Sequence, residues 1–389
     1  MIHLLLAVIY IAFVSLGLPD SLLGSAWPTM YREFGVPVSG AGLIYMIVTC
    51  GTTFSSLMSD RLTKRFGTGL VTAVSVTLTA VGIFGDSLCS QFWQLCLFSI
   101  PYGLGAGSVD AALNNYVASH YASRHMSWLH GLWGVGTIIG PYVMSFALAG
   151  GLTWNYGYRY LSFIQFGIAL LMFASLPLWK RHAPAKSTGT QSGGEKALTL
   201  RETFRLPGAR QAFGVFFCYG ALEQTAALWA SSYMVLHCGI DAVSAARYAS
   251  LFYIGITAGR LASGFFTLRF TNRQMIRFGM ILAACGAAAL FLPLGRAVTI
   301  AGLVIAGLGC APIYPCIIHS IPGIFGMDKS QAVIGILMSA CSMGVFLMPP
   351  LFGLIANNIS VSLYPAYLLG ITLVMLLLFH ALLKKARIK

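Results

Sequence analysis

Apolar residues fill this chain in runs of about twenty, each long enough as an α-helix to cross a bilayer core of about 30 Å. Such runs lie near 3–28, 39–58, 68–86, 92–118, 128–150, 157–179, 210–236, 244–267, 274–293, 297–318, 331–355 and 361–383. They predict twelve transmembrane helices. Gly is frequent inside them, which suits helices that pack closely in lipid. The chain opens almost directly into its first run without a basic leader, so that segment is expected to be a retained helix rather than a signal peptide. Composition agrees with the pattern. Of 389 residues, 57% are hydrophobic and only 9% are charged, whereas a soluble domain carries about 25% charged residues. The fold class is all-α membrane protein.

The polar positions add orientation. One long polar segment, "KRHAPAKSTGTQSGGEKALTLRETFRLPGAR" (Lys180 to Arg210), divides the runs six and six. Its Gly, Ser, Pro and charge content is that of a linker, with a short surface helix expected at "LTLRETFRL". The expected organisation is a first bundle over 1–180, a cytoplasmic linker over 181–209 and a second bundle over 210–389. The net charge of +14 resembles a nucleic-acid signal until its placement is read. Alternate loops carry Arg61, Lys64 and Arg65; Arg124; the cluster from Lys180 to Arg210; Arg269, Arg273 and Arg277; Lys329; and Lys384 to Lys389. The opposite loops hold little more than Arg32, Arg159 and Arg296. That is the positive-inside pattern, with both termini cytoplasmic. The implied partners are the bilayer and its anionic headgroups rather than nucleic acid. The nine cysteines form no CxxC or Cys/His cluster, so neither a metal site nor a disulfide framework is expected.

The two halves repeat one another. "GLPD" (Gly17 to Asp20) falls on "GALE" (Gly220 to Glu223), followed in both by a tryptophan, Trp27 and Trp229, and a tyrosine, Tyr31 and Tyr233. "IYMIVTCG" (Ile44 to Gly51) falls on "FYIGITAG" (Phe252 to Gly259), and Arg61 lands on Arg269. "GLGAG" (Gly103 to Gly107) meets "GLGCA" (Gly307 to Ala311), and "GTIIGP" (Gly136 to Pro141) meets "GVFLMP" (Gly344 to Pro349). Four matches in the same order point to duplication. Two pseudo-symmetric six-helix bundles about an axis normal to the membrane resemble the major facilitator fold. The resemblance implies alternating access around a site near the membrane midplane.

The loop "SSLMSDRLTKRFG" (Ser55 to Gly67) is similar to that superfamily's signature between its second and third helices. There an acid followed by Arg latches the cytoplasmic ends of the halves, which assigns gating to Asp60 and Arg61. Two of the signature's glycines are replaced here by Ser56 and Thr63. Within the superfamily the chain resembles the fucose–proton symporter branch. The carrying residues are "GSVDAALNN" in the fourth helix, "LHGLWGVGTIIGP" in the fifth and "YGALEQTAALWASSY" in the seventh. The branch's fourth-helix acid and amide map to Asp110 and Asn114, its first-helix acid to Asp20, and its fifth-helix polar residue to His130. "GTIIGP" is also close to the fifth-helix pattern of drug–proton antiporters, but the glycine pair expected after it is Met144 and Ser145.

Ten acids occur in the whole chain. Glu33, Asp86, Glu195, Glu202, Asp241 and Asp328 fall at span ends or in loops, and Asp60 belongs to the latch. Asp20, Asp110 and Glu223 remain inside spans. A carboxylate at mid-membrane costs about 2.5–3.5 kcal/mol even on the gentler insertion scale, and such groups mark ion or substrate paths. They are the candidate proton-coupling residues. No Lys or Arg stands ready to pair with them, since Arg260 is expected to face the cytoplasmic half-channel. Asn114, one turn from Asp110, shares its helix face, and amide and carboxyl together can bind vicinal hydroxyls. His130 and Trp133, three apart, also share a face, an aromatic face with a polar neighbour as a pyranose requires. Gln224, Trp229 and Tyr314 complete the candidate substrate site, whereas Trp27, Trp93, Trp154 and Trp179 read as interfacial anchors.

The expectation is therefore a secondary transporter rather than an enzyme, monomeric in the cell membrane, without cofactor or metal. Proton-coupled symport of a sugar or similar small polar metabolite leads. Drug–proton antiport on the same fold is the alternative. An intramembrane aspartyl protease using Asp20 and Asp110 is disfavoured by the repeat and by the missing GxGD context.

Overall fold

In hydrocarbon every backbone N–H and C=O must find its partner within the protein, and helices meet that demand locally. The computed structural model describes residues 2–121, 123–181, 200–266 and 269–385, and among them there is no β-strand. The first half runs α1 (Ile2–Asp20), α2 (Leu22–Glu33), α3 (Gly40–Phe66), α4 (Thr68–Asp86), α5 (Phe92–His120), α6 (Ser123–Ala149), α7 (Trp154–Ala174) and α8 (Leu176–Arg181). A short α9 (Leu200–Arg205) coincides with the helix expected in the linker; positions 182–199 of that linker lie outside the described residues. There follow α10 (Ala209–Leu236), α11 (Ala242–Phe266), α12 (Asn272–Ala289), α13 (Arg296–Cys310), α14 (Ile313–Phe325), α15 (Met327–Ile355) and α16 (Tyr364–Lys385). Eight segments among the described residues are long and apolar enough to cross a membrane, from Leu4–Glu33 to Val333–Lys385. Large apolar side chains such as Leu57, Phe146, Leu170, Phe265 and Leu377 are more than 70% exposed. A surface of that kind suits lipid and not water.

Three expected spans are broken. The first divides at Ser21 into α1 and α2, the sixth at Ser175 into α7 and α8, and the tenth at Ala311–Pro312 into α13 and α14. Pro19 explains the first break, because proline has no N–H to give the carbonyl four residues back. That carbonyl, of Ser15, accepts instead from Gln165 Nε2 on α7 at 2.7 Å. The break leaves Asp20 at the end of α1 rather than locked in mid-helix.

Within the first half α1 packs on α6, and α4 on α5 and α7. In the second, α10 packs on α15 and α16, and α12 on α13. The sequence repeat is visible in how helices touch. A Cβ on Gly136 would strike the Val14 carbonyl oxygen, and one on Gly344 would strike that of Phe217. Gly103 meets the Val48 backbone, and Gly307 meets that of Phe252. The Gly344 contact occupies the position that the repeat assigns to the Gly136 contact, while the Gly307 contact falls one turn before Ile256, the residue that matches Val48. Only glycine allows backbones this close.

The halves meet where α6 lies along α11, α2 against α10 and α11, and α3 against α15. The α2 and α3 contacts close one end of the molecule. Trp27 is fully buried there and donates Nε1–H to the Val38 carbonyl at 2.7 Å. Trp154 is buried too and donates to Glu33 Oε2 at 2.6 Å, while Trp179 is 7% exposed. Of the four tryptophans expected as interfacial anchors, Trp93, 60% exposed, stands on the surface; the other three pack into the interior, where ring area outweighs the indole's affinity for headgroups.

Candidate functional site

Between the halves lies a cavity of about 1510 Å³. It runs from Met30, Ile83 and Leu95 at the closed end to Trp128, Leu261 and Phe270 at the other, where those side chains are half exposed. Its axis follows one face of α5, with Ser99, Tyr102, Ala106 and Asp110 all on the wall. Those spacings of three and four residues put them in line on a helix.

The cavity gathers most of the residues predicted for it. Asp20, Asp110, Glu223, His130, Trp133, Gln224 and Tyr314 all line it. Asp20, set free by the helix break, accepts from Tyr102 Oη at 2.8 Å and from Trp133 Nε1 at 2.9 Å. Asp110 Oδ1 accepts from Asn114 Nδ2 at 2.9 Å. Gln224 Oε1 accepts from Tyr45 Oη at 2.7 Å, a hydrogen bond between the halves. His130 meets the Phe13 ring edge to face at 5.8 Å between centroids. Tyr314 packs against Phe216 and Tyr219, and its hydroxyl reaches the Met338 sulfur at 3.1 Å.

Four expectations need correction. Arg260, on the cavity wall, does stand ready to pair with an intramembrane acid. Its Nη2 lies 3.5 Å from Glu223 Oε2 and 3.3 Å from Tyr219 Oη, and its guanidinium stands 5.6 Å over the Trp133 ring. The Tyr219 hydroxyl itself donates to Glu223. Trp229 does not line the cavity. It is fully buried in the second half, donates Nε1–H to the Pro349 carbonyl at 2.9 Å and packs edge-on against Phe352. Asn114 holds Asp110 but is itself absent from the wall, because its amide turns back one helical turn to the carboxyl. Asp86 is no solvated span end. It is 7% exposed on the cavity wall near the closed end, and its Oδ1 has no hydrogen-bond partner among the described residues. The side chain of Asp60, half of the expected latch, lies outside the described residues; Arg61 is exposed on α3.

One chain of contacts thus crosses the midline. Trp133 on α6 donates to Asp20 on α1 and lies under Arg260 on α11, which is paired with Glu223 on α10. A movement of either half alters both carboxylates' surroundings. Among the described residues no three His, Cys, Asp or Glu are grouped so as to hold a metal ion, and the cysteines are unpaired.

Residues 9–318 match the family model of the Major Facilitator Superfamily. The chain belongs to that superfamily. Glucose/mannose transporter GlcP of Bacillus subtilis is 22% identical over 361 residues, 90% of this chain and 87% of its own. The cis,cis-muconate transport protein of Acinetobacter baylyi is 24% identical over 298 residues, covering 73% and 70%. Bypass of stop codon protein 6 of Saccharomyces cerevisiae is 24% identical over 290 residues, 68% of this chain, which spans 57% of that protein's length. The fold matches a crystal structure of a mutant of the nucleoside transporter NupG with a TM-score of 0.76 over 97% of this chain and 98% of that one, at 13% identity. The protein is a multi-pass membrane transporter and not an enzyme.

Proposed function

We propose that the protein is a secondary active transporter that works by alternating access and couples the uptake of a sugar or similar small polar metabolite to protons. One observation carries the reading. Asp20 sits in the cavity with two neutral donors, Tyr102 and Trp133, and no cationic partner among the described residues. A carboxyl so placed can be neutral or charged at modest cost, which a proton carrier needs. Asp110 is the second proton site, able to bind substrate when protonated, and Glu223 is the weaker counterpart in the other half. His130, Trp133, Gln224 and Tyr314 supply the remaining wall, with hydroxyl-binding groups beside aromatic faces. The glucose/mannose and muconate transporters among the relatives suit a small polar cargo, and the branch resembling fucose–proton symporters remains the preferred placement.

Dividing the Val333–Lys385 segment at its turns and adding α10, α11 and α12 to the other apolar segments gives twelve spans in two six-helix bundles, 1–180 and 210–389. The basic loops then lie on the cytoplasmic side of the cell membrane, with both termini cytoplasmic and the cavity open to the cytoplasm. Asp60 and Arg61 latch that end in the opposite state, and the working unit is a monomer. Labelled-sugar uptake into cells tests the reading: it should collapse with a protonophore, and uptake indifferent to the protonophore would refute proton coupling. The cavity exceeds the roughly 300–1,000 Å³ of ordinary ligand pockets, which favours drug–proton antiport as the second reading. Raised drug accumulation on deletion would select it.

A further inference from the structure

We propose that Arg260 is a docking point for a carboxylate on the substrate, which takes the place of Glu223. The proposal rests on the transport reading above and narrows its cargo to hydroxylated acids. Among the described residues that line the cavity, Arg260 is the sole Lys or Arg. A guanidinium offers five N–H donors in a planar fork, and its best partner is a bidentate carboxylate at about 2.7–2.9 Å. The contact with Glu223 is nothing of the kind. It uses one nitrogen, Nη2, at 3.5 Å, and the same nitrogen reaches Tyr219 Oη at 3.3 Å. Nε and Nη1 have no hydrogen-bond partner among the described residues, and the side chain is 20% exposed. Glu223 Oε2 is meanwhile already satisfied by the Tyr219 hydroxyl. The pair is therefore loose on the arginine side and held on the glutamate side.

Trp133 supports the guanidinium from one side. Its ring lies beneath the guanidinium at 5.6 Å and comes from the opposite half. An anion received by the fork therefore binds to a guanidinium that already bridges α11 and α6. Around it stand hydroxyl-binding groups: Gln224 with Tyr45, and Tyr102 with Asp20. That setting suits an acid with hydroxyls on its carbon chain better than a purely apolar acid.

Charge then dictates the coupling. Two carboxylates on one guanidinium leave a net negative charge inside the membrane, a costly arrangement. A proton on Glu223 removes it, so anion and proton arrive together and the loaded site stays neutral. The other ionisable groups about Glu223 are phenols and thiols, namely Tyr219, Tyr253, Tyr314, Cys310 and Cys341, with Tyr45 from α3. Among the described residues Arg260 is the cation paired with Glu223, and the carboxyls of Asp20 and Asp110 share some of the same phenol neighbours.

The test is binding to the purified full chain, by calorimetry and thermal shift, of matched acids and neutral partners: glucuronate with glucose, galacturonate with galactose, gluconate with sorbitol. We expect at least one acid to bind tenfold or more tightly than its partner. Arg260→Gln should abolish that preference, Arg260→Lys should reduce it without abolishing it by losing the fork, and Glu223→Gln should retain or sharpen it. The lysine variant keeps the test open if the glutamine variant does not fold. A preference that survives both arginine variants overturns the proposal, and so does a panel in which no acid outbinds its partner. Neutral sugars bound while acids are ignored would overturn the proposal and leave sugar symport standing. Binding of drugs alone would overturn both.

Discussion

Gly42→Ala should push the protein out of the conformation described above. Gly42 lies on α3 where it touches α15 across the midline, and a Cβ there would sit 2.8 Å from Pro350 Cα and 3.1 Å from Pro350 Cβ. Neither atom belongs to a flexible side chain, so the helices must separate. Overpacking of this kind costs about 1–3 kcal/mol, and each 1.4 kcal/mol is a factor of ten in a population. The clash exists only while α3 and α15 are in contact, so the closed end should lose population by roughly five- to a hundredfold. Spin labels at Arg32 and Asn357, both exposed at that end, would read the change as a longer distance in a background stripped of the native cysteines. Gly103→Ala is the control. Its Cβ would meet the Val48 backbone inside the first half, which costs stability without favouring either state. An unchanged distance distribution in Gly42→Ala, or an equal shift in Gly103→Ala, would contradict a clash confined to the closed end.

Trp229→Phe should lower thermal stability by about 1 kcal/mol through loss of the hydrogen bond to the Pro349 carbonyl and leave substrate affinity within twofold; a tenfold loss of affinity would return Trp229 to the binding site. Asp241 caps α11 by accepting from the Ser244 N–H at 2.8 Å, and that bond holds its carboxyl below the usual aspartate range. Its contribution to stability is therefore present above the ordinary aspartate pKa and fades as pH falls through the lowered one. Asp241→Asn should flatten that acid limb in thermal melts, and an unaltered limb would contradict it. Asp60→Asn and Arg61→Ala should slow transport while leaving equilibrium binding intact, since a latch biases the two states without touching substrate; binding lost in step with transport would count against the latch.

The scarcity of charge made the centre of the site legible. Acids are so few in the spans that each of Asp20, Asp110 and Glu223 stood out, and all three line one cavity. The repeat was equally readable, because close helix contacts demand glycine at fixed positions in both halves. What could not be read was which way a side chain points. Trp229 and Trp133 both sit in runs apolar on every side, so periodicity gives no face, yet one packs among second-half helices and the other joins Asp20 to Arg260. Arg260 was detectable in principle. A guanidinium in the run "GITAGRLASGFF" carries the same insertion penalty that drew attention to Asp110, and that penalty argues for a partner. Asp86 misled for the opposite reason: a helix end reads as solvated in sequence, but here α4 ends among other helices.

Transport by purified protein in liposomes, with Asp20→Asn and Asp110→Asn compared with the parent protein in two modes, separates proton coupling from substrate binding. Asparagine keeps the shape and hydrogen bonding of aspartate and removes its titration. Both variants should lose accumulation driven by an imposed proton gradient, yet retain substantial counterflow exchange, which requires no net proton movement. If either variant accumulates substrate against a gradient as well as the parent does, that carboxyl is structural and the coupling assigned to it is wrong.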